Sequence, residues 1–260
     1  MPNVSPRVPH VSVLLAVYNG EATIDRAIES IVFQDYISWE LIVIDDGSGD
    51  GTRVRIKHWE TEDSRIIGIF NDENHGLAYS LNYGVPKCRG RFIARLDADD
   101  VMMRNRLSTQ VNFLSSHRDI DIVGSTAIGV GSSGSNKGLI KVPETHNEIA
   151  RMMPRRNPII HSSILLRRYV LEKIQYDVRL RRNQDYDLWA RTIGEFRFHN
   201  IQRPLTVYAL PGSRKTWLGV GYDLRVHFQV IARLKKWQFA YWPVITLAWN
   251  IFRKIWHPKD

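Results

Sequence analysis

One cysteine, Cys88, stands in 260 residues. An internal disulfide and a four-cysteine zinc site are therefore excluded, and the chain suits a reducing compartment. The first ten residues hold prolines and polar side chains but no apolar h-region, so no signal peptide is expected. No helix-turn-helix, finger or RNP-like signature is present, which argues against nucleic acid as a partner. There is no internal repeat and no low-complexity linker, so a single domain with a second lobe is expected.

What is present is an ordinary globular balance, 43% hydrophobic and 24% charged, enough to bury a substantial core. The net charge is +9 and the pI about 9.7, which suits an anionic partner. The excess is local. Between Arg151 and Arg182 there are nine Lys/Arg against two acids, Glu172 and Asp177.

Residues 11–17 form a short apolar, β-branched run that reads as a strand buried on both faces. Ile24, Ala27, Ile28, Ile31 and Val32 then repeat at helical spacing. Strands are predicted at 40–44, 65–70 and 91–96, with helices from about 53 and over 76–83. This alternation predicts an α/β fold with a mostly parallel sheet flanked by helices. Ligands bind outside the carboxyl ends of such strands. Tyr18-Asn19, Asp45-Asp46 and Asp97 to Asp99 all lie at carboxyl ends and should converge on one edge.

In the second half a helix is expected over 104–117 and a strand over 120–128. Gly129 to Gly134 matches G-x-G-x-x-G, but Gly138 and β-type residues follow it, so a hairpin fits better than a dinucleotide loop. A strand over 159–166 carrying His161, a helix over 185–193, short strands at 196–201 and 205–210, and a mostly helical 218–237 complete the reading.

The apolar run Phe92-Ile93-Ala94-Arg95-Leu96 ends in Asp97-Ala98-Asp99-Asp100. Adjacent carboxylates repel unless a cation lies between them, so a divalent-metal and phosphate site and a solvated turn are the two readings. In an extended segment Asp97 and Asp99 would face the same way and share one ligand.

Taken in order, Val17-Tyr18-Asn19-Gly20-Glu21, Asp45-Asp46-Gly47-Ser48-x-Asp50-x-Thr52, Asn74-x-Gly76-Leu77-Ala78, Leu96-Asp97-Ala98-Asp99-Asp100 and Gln184-Asp185-Tyr186-Asp187-Leu188-Trp189 resemble the motifs of family 2 glycosyltransferases of the GT-A fold, over about residues 10 to 210. The resemblance implies a nucleotide pocket of Ala16, Tyr18, Glu21, Asp45 and Asp46, with Asp97 at the ribose. It implies Asp99 as the ligand of Mn²⁺ or Mg²⁺, and Asp185 as the general base. Asn74, His161, Arg181 or Arg182, and Arg214 with Lys215 are candidate donor or phosphate contacts. Where relatives often carry Glu-Asp this chain has Gln184-Asp185. Asp187 reads as a helix-start charge rather than a catalyst.

These expectations make residues 11–215 the catalytic domain, with 11–103 the nucleotide-binding half and 104–215 the acceptor-side half. Residues 1–10 are a tail and 216–260 a C-terminal aromatic and basic helical extension. The expected reaction is metal-dependent, inverting transfer from a nucleotide sugar, a UDP-sugar foremost, to a hydroxyl of a cell-surface glycan or lipid-linked oligosaccharide. The alternatives are a sugar-phosphate nucleotidyltransferase, or a nucleotide-sugar-binding protein without chemistry. Trp242, Ile245, Trp249, Phe252 and Trp256 repeat at four-and-three spacing between basic flanks. Residues 239–249 reach about half a membrane span. A helix lying in the membrane interface, one packed on its own domain, and a homodimer contact through 236–257 are the three readings. A cytoplasmic protein, peripheral on the inner face of the membrane, is the expected location.

Overall fold

A computed structural model describes residues 8–210, 217–241 and 244–245. The first half alternates strand and helix: β1 (Val11–Val17), α1 (Ile24–Val32), β2 (Trp39–Asp45), α2 (Thr52–Glu62), β3 (Ile66–Phe70), α3 (Leu77–Gly84) and β4 (Phe92–Arg95). The second half runs β5 (Val101–Met102), α4 (Arg106–Ser116), β6 (Ile122–Val130), β7 (Asn136–Ile140), α5 (His146–Met152), β8 (Leu165–Arg167), α6 (Tyr169–Lys173), α7 (Gln184–Thr192), β9 (Phe198–Ala209) and α8 (Trp217–Arg233).

β1 and β2 are buried along their whole length because helices cover both sheet faces. Their alternate side chains enter two separate cores. Val11, Val13, Leu15 and Val17 pack with Ile24, Ala27, Ile28 and Ile31 of α1 on one face. Leu14 and Ala16 pack with Ala78 and Leu81 of α3 and Trp189 of α7 on the other. Each fully buried isoleucine of α1 contributes roughly 1.5–3 kcal/mol.

The sheet order is β3-β2-β1-β4-β8-β6-β9-β5, with β7 hanging on β6. From β3 to β4 every pairing is parallel. Beyond β4 the sheet is mixed: β8 is antiparallel to both β4 and β6, and β6 runs parallel to β9. The mostly parallel expectation thus describes the first half, and the whole is an α/β mixed sheet.

Two local expectations are corrected. The segment around His161 is a 3-10 turn, His161–Ser163, and the strand begins only at Leu165. The two short strands after Phe196 are one long strand, β9. Its register slips against Ser125 and Thr126 of β6 where Gln202, Arg203 and Pro204 pass. A proline gives no ladder hydrogen bond, which is why the sequence reads there as a break. Asp187 does lie in the first turn of α7, as expected of a helix-start charge. It is buried and paired with Arg191 of α7 at 2.7 Å and Arg233 of α8 at 3.3 Å. Gly129 to Gly134 does lie in the hairpin linking β6 to β7, with Gly134 at φ +78°.

Candidate active site

The parallel register sets Val17 beside Asp45, and Leu14 beside Arg95. The loops that follow these strands therefore open on one rim.

The first two loops are laced together. Asn19, at φ +51°, accepts from Gly49 N at 2.9 Å, and its own N–H reaches Ser48 Oγ at 2.9 Å. Gly20 N–H donates to Thr52 Oγ1 at 2.8 Å. The Glu21 carboxylate accepts from Gly51 N at 3.0 Å. Glu21 therefore braces the loop on this rim. Tyr18 stands 52% exposed above Ala16, which is buried. Gly47 has φ +75°, and a Cβ there would lie 2.5 Å from the Glu73 backbone. Only glycine lets this loop pass so close to the next one.

Asp45 and Asp46 differ. Asp45 is buried at the end of β2, takes Ser48 N–H at 3.0 Å and is paired with Arg53 Nε at 3.1 Å. Asp46 accepts from Ser80 Oγ, Asn71 Nδ2, Gly76 N and His75 N at 2.7 to 3.2 Å. These bonds lower its carboxyl below the usual range against the opposing effect of burial. Its hydrogen-bonding capacity is spent on the loop that carries the exposed Asn74.

Asp97 to Asp100 is a turn, not an extended segment, closed by Asp100 N–H on Asp97 O at 3.2 Å. The expected same-face placement of Asp97 and Asp99 by strand alternation does not hold. Asp97 is ion-paired with Arg95, and its N–H donates to Ser162 Oγ at 2.8 Å. Asp99 reaches solvent, yet partial burial of its carboxyl and the Asp97 charge push it upward. Asp100 is buried, accepts from Ala209 N at 2.7 Å, and is pushed up to about 7 by burial and then by Asp97.

Among the described residues no three His, Cys, Asp or Glu side chains gather as a metal cage. The crowded acids and one solvent-facing carboxylate, Asp99, fit a hard divalent ion that shares its coordination with substrate phosphates. They do not fit an ion held by protein alone.

Asp185 lies in the first turn of α7. Burial raises its carboxyl above the ordinary range, while Tyr186 N–H, Asn157 and then Arg95 oppose the rise and Asp97 adds to it. Asn157 Nδ2 holds one carboxylate oxygen at 2.6 Å. His161 bonds Tyr176 Oη at 2.8 Å and meets the Trp189 ring edge-on. Burial lowers His161 well below its usual value, so it is a neutral ring. Of the arginine pair, Arg182 is exposed with Nε 3.8 Å from Asp223. Arg181 lies beside the loop instead, Nη1 being 3.5 Å from where a Cβ on Gly76 would sit. Arg214, Lys215, Trp242, Trp249, Phe252 and Trp256 lie outside the described residues.

Sequence reading missed the buried support of this rim. Arg95 is 1% exposed, and its Nε and Nη1 find no hydrogen-bond partner among the described residues. Its charge acts on Asp99, Asp185 and His161 together. The signal was available: an arginine inside an apolar strand needs a buried partner. Asn157 gave no comparable signal.

Residues 12–175 match the profile of glycosyl transferase family 2. The chain belongs to this family. It is 32% identical over 231 residues to the O-antigen biosynthesis glycosyltransferase WbnJ of Escherichia coli, covering 87% of this chain and 89% of that one. TarS of S. aureus (residues 1–349) in complex with UDP superposes with a TM-score of 0.67 at 17% identity, over 86% of this chain and 64% of that one. The mannosyltransferase PcManGT from Pyrobaculum calidifontis in complex with GDP-Man and Mn²⁺ gives 0.65 at 20% identity, over 96% and 76%. The fold of this family 2 chain is thus GT-A.

Proposed function

We propose that this family 2 protein moves a sugar from a nucleoside-diphosphate sugar, a UDP-sugar foremost, to a hydroxyl of a cell-surface glycan or lipid-linked saccharide. The observation that carries the reading is the meeting of Asp185 with the Asp97 turn at the carboxyl end of β4: Arg95 and Tyr208 each lie within electrostatic reach of both Asp97 and Asp185. Residues 11–215 are the catalytic domain in this reading, 11–103 its nucleotide half and 104–215 its acceptor half. In the C-terminal extension, 216–260, Val226, Val230 and Arg233 pack on this domain, and a membrane surface or a second copy is the proposed partner of the exposed Trp237 and Tyr241.

Tyr18 stacks on the base over Ala16. Asp45 receives a base N–H. Asp46 and Glu21 shape the pocket through the loops they hold, and Asp97 takes the ribose hydroxyls. Asn74, His161 and Arg181 or Arg182 border the diphosphate. Asp185 accepts the proton of the acceptor hydroxyl as its oxygen bonds to the anomeric carbon, and the bond to the diphosphate oxygen breaks. One base and no second nucleophile favour inversion. Mn²⁺ or Mg²⁺ held by Asp99 and the phosphates would neutralise charge on the leaving group.

The UDP complex of TarS and the GDP-Man and Mn²⁺ complex of PcManGT support donor class and metal. A thermal-shift panel of nucleotide sugars with Mn²⁺ tests the donor, since a ligand at 100 times Kd stabilises by about 2.7 kcal/mol. No response to any nucleotide sugar would sink the reading.

Two further results are expected. Chelation with EDTA should abolish transfer and Mn²⁺ or Mg²⁺ restore it. Asp99→Asn should lower kcat/KM at least about 100-fold even in saturating metal, by analogy with losing one charge-stabilising group. Full activity in EDTA would overturn the metal assignment. Tyr18→Ala should weaken UDP binding by about 1–3 kcal/mol, the usual worth of a base on an aromatic ring. Its melting point should hardly move, because the ring is half in solvent. Unchanged UDP affinity by calorimetry would place the base elsewhere.

A further inference from the structure

Beyond the donor rim, the turn from Met153 to Asn157 is pinned at three points. Tyr186 Oη donates to Met153 O at 2.5 Å, His227 Nε2 meets Pro154 O at 3.0 Å, and Asn157 holds Asp185 at 2.6 Å. Between these pins stand Arg155 and Arg156. With Lys141, Arg151, Met152 and Gln202 they line a cleft of about 490 Å³. Two acids also line it, so four cations stand against two carboxylates. Glu148 is engaged by the N–H groups of Glu144 and Thr145, and Glu144 lies 3.8 Å from His199 Nε2. On its far side the Arg155 guanidinium lies over the Phe239 ring at 4.9 Å. Next to Phe239 come the exposed side chains Trp237, Tyr241, Val244 and Ile245.

Three chemistries therefore lie in series: a carboxylate base, four cations, and an exposed apolar surface. Arg156 is one residue from Asn157, about 3.8 Å between Cα atoms. We infer that this cleft binds the phosphate or diphosphate of an acceptor whose reactive sugar is joined through that group to a lipid. The sugar hydroxyl then lies at Asp185, the phosphate among Arg151, Arg155 and Arg156, and the start of the lipid chain against Trp237 and Tyr241. Planar guanidinium groups suit phosphate oxygens through paired hydrogen bonds. The inference rests on the proposed transfer to a hydroxyl at Asp185, and it adds the class of acceptor and the residues that read it.

The test is calorimetry with decyl diphosphate and, as the uncharged probe, decyl glucoside, each in saturating UDP. The native protein should bind the diphosphate at least about tenfold more tightly, and Arg155→Ser/Arg156→Ser should erase that preference while UDP affinity and melting point hold. Arg155→Lys/Arg156→Lys should keep part of it, since charge remains but the fork is lost. Equal binding of the two probes, or displacement of decyl diphosphate by UDP, would overturn the inference. So would flotation with phosphatidylglycerol vesicles, but not phosphatidylcholine vesicles, that decyl diphosphate fails to weaken, because the cleft would then read a membrane surface. Binding of UDP-sugars is measured in the same titrations. Its failure would sink the transferase reading, whereas a missing diphosphate preference alone leaves that reading standing.

Discussion

Asp185→Asn is expected to cut kcat by about 10² to 10⁴, the span that general-base catalysis supplies, while UDP binding and the melting point remain. An amide has the carboxylate's shape and still accepts the Asn157 hydrogen bond, but it cannot take a proton. Alanine would be a poorer test, because it also strips Asn157 of its partner. The same carboxylate sets the pH profile. Burial holds its pKa above the ordinary range, so the ionised, competent form is lost as pH falls through that raised value. The native kcat should rise with pH and level off above it. In Asp185→Asn that acid limb should vanish from whatever activity persists. A variant turning over within tenfold of the native rate would move the base to another residue.

The second large effect is on stability. Arg106→Met should cost about 3–5 kcal/mol, the usual penalty for removing one partner from a buried charged network. The guanidinium is fully buried and donates to five acceptors. These are Gln110 Oε1 at 3.0 Å, Ser162 O at 2.6 Å, Thr206 Oγ1 at 3.3 Å, Arg95 O at 2.9 Å and Ile164 O at 2.9 Å. One side chain thus ties α4 to β4, to the turn before β8, and to β9. Methionine fills much of the volume and satisfies none of the acceptors, each of which then bears a desolvation cost. For a chain of this size the melting point should fall by roughly 6–20 °C. Arg118→Met, at an exposed position, should stay within about 0.5 kcal/mol. A fall of under about 3 °C for Arg106→Met would show that water replaces the lost donors. The site should suffer as well, since Ser162 accepts from Asp97 N–H through its Oγ and from Arg106 Nη1 through its carbonyl oxygen.

Much of the candidate rim was legible in the sequence. The β-branched runs at 11–17 and 40–44, and the apolar spacing of Ile24, Ala27, Ile28 and Ile31, encode burial against two helical layers. Such patterns are local. Strand alternation with helices then requires parallel pairing, and parallel pairing puts Tyr18, Asp45 and Asp97 on one edge. Where the reading stopped short, the deciding interaction came from far along the chain. An extended run and a solvated turn were both open for Asp97 to Asp100, and Arg95 and Ser162 hold Asp97 in the turn. Asp46 looked like its neighbour Asp45, yet two side chains, Asn71 and Ser80, and two loop amides, His75 and Gly76, occupy it. Asp187 does start α7, but its burial and its pairing with Arg233 of α8 are set by the tertiary structure.

The residue order alone thus determined which segments are buried, on which faces, and which end of the sheet carries the acids, because periodicity records the water each side chain leaves. Tertiary structure alone decided which charge each acid meets. That choice depends on register and crossover between segments a hundred residues apart, as when Arg106 of α4 reaches Thr206 of β9. The energy of a buried charge is set by its nearest partner and its distance from water, and neither is a property of the neighbouring letters in the chain.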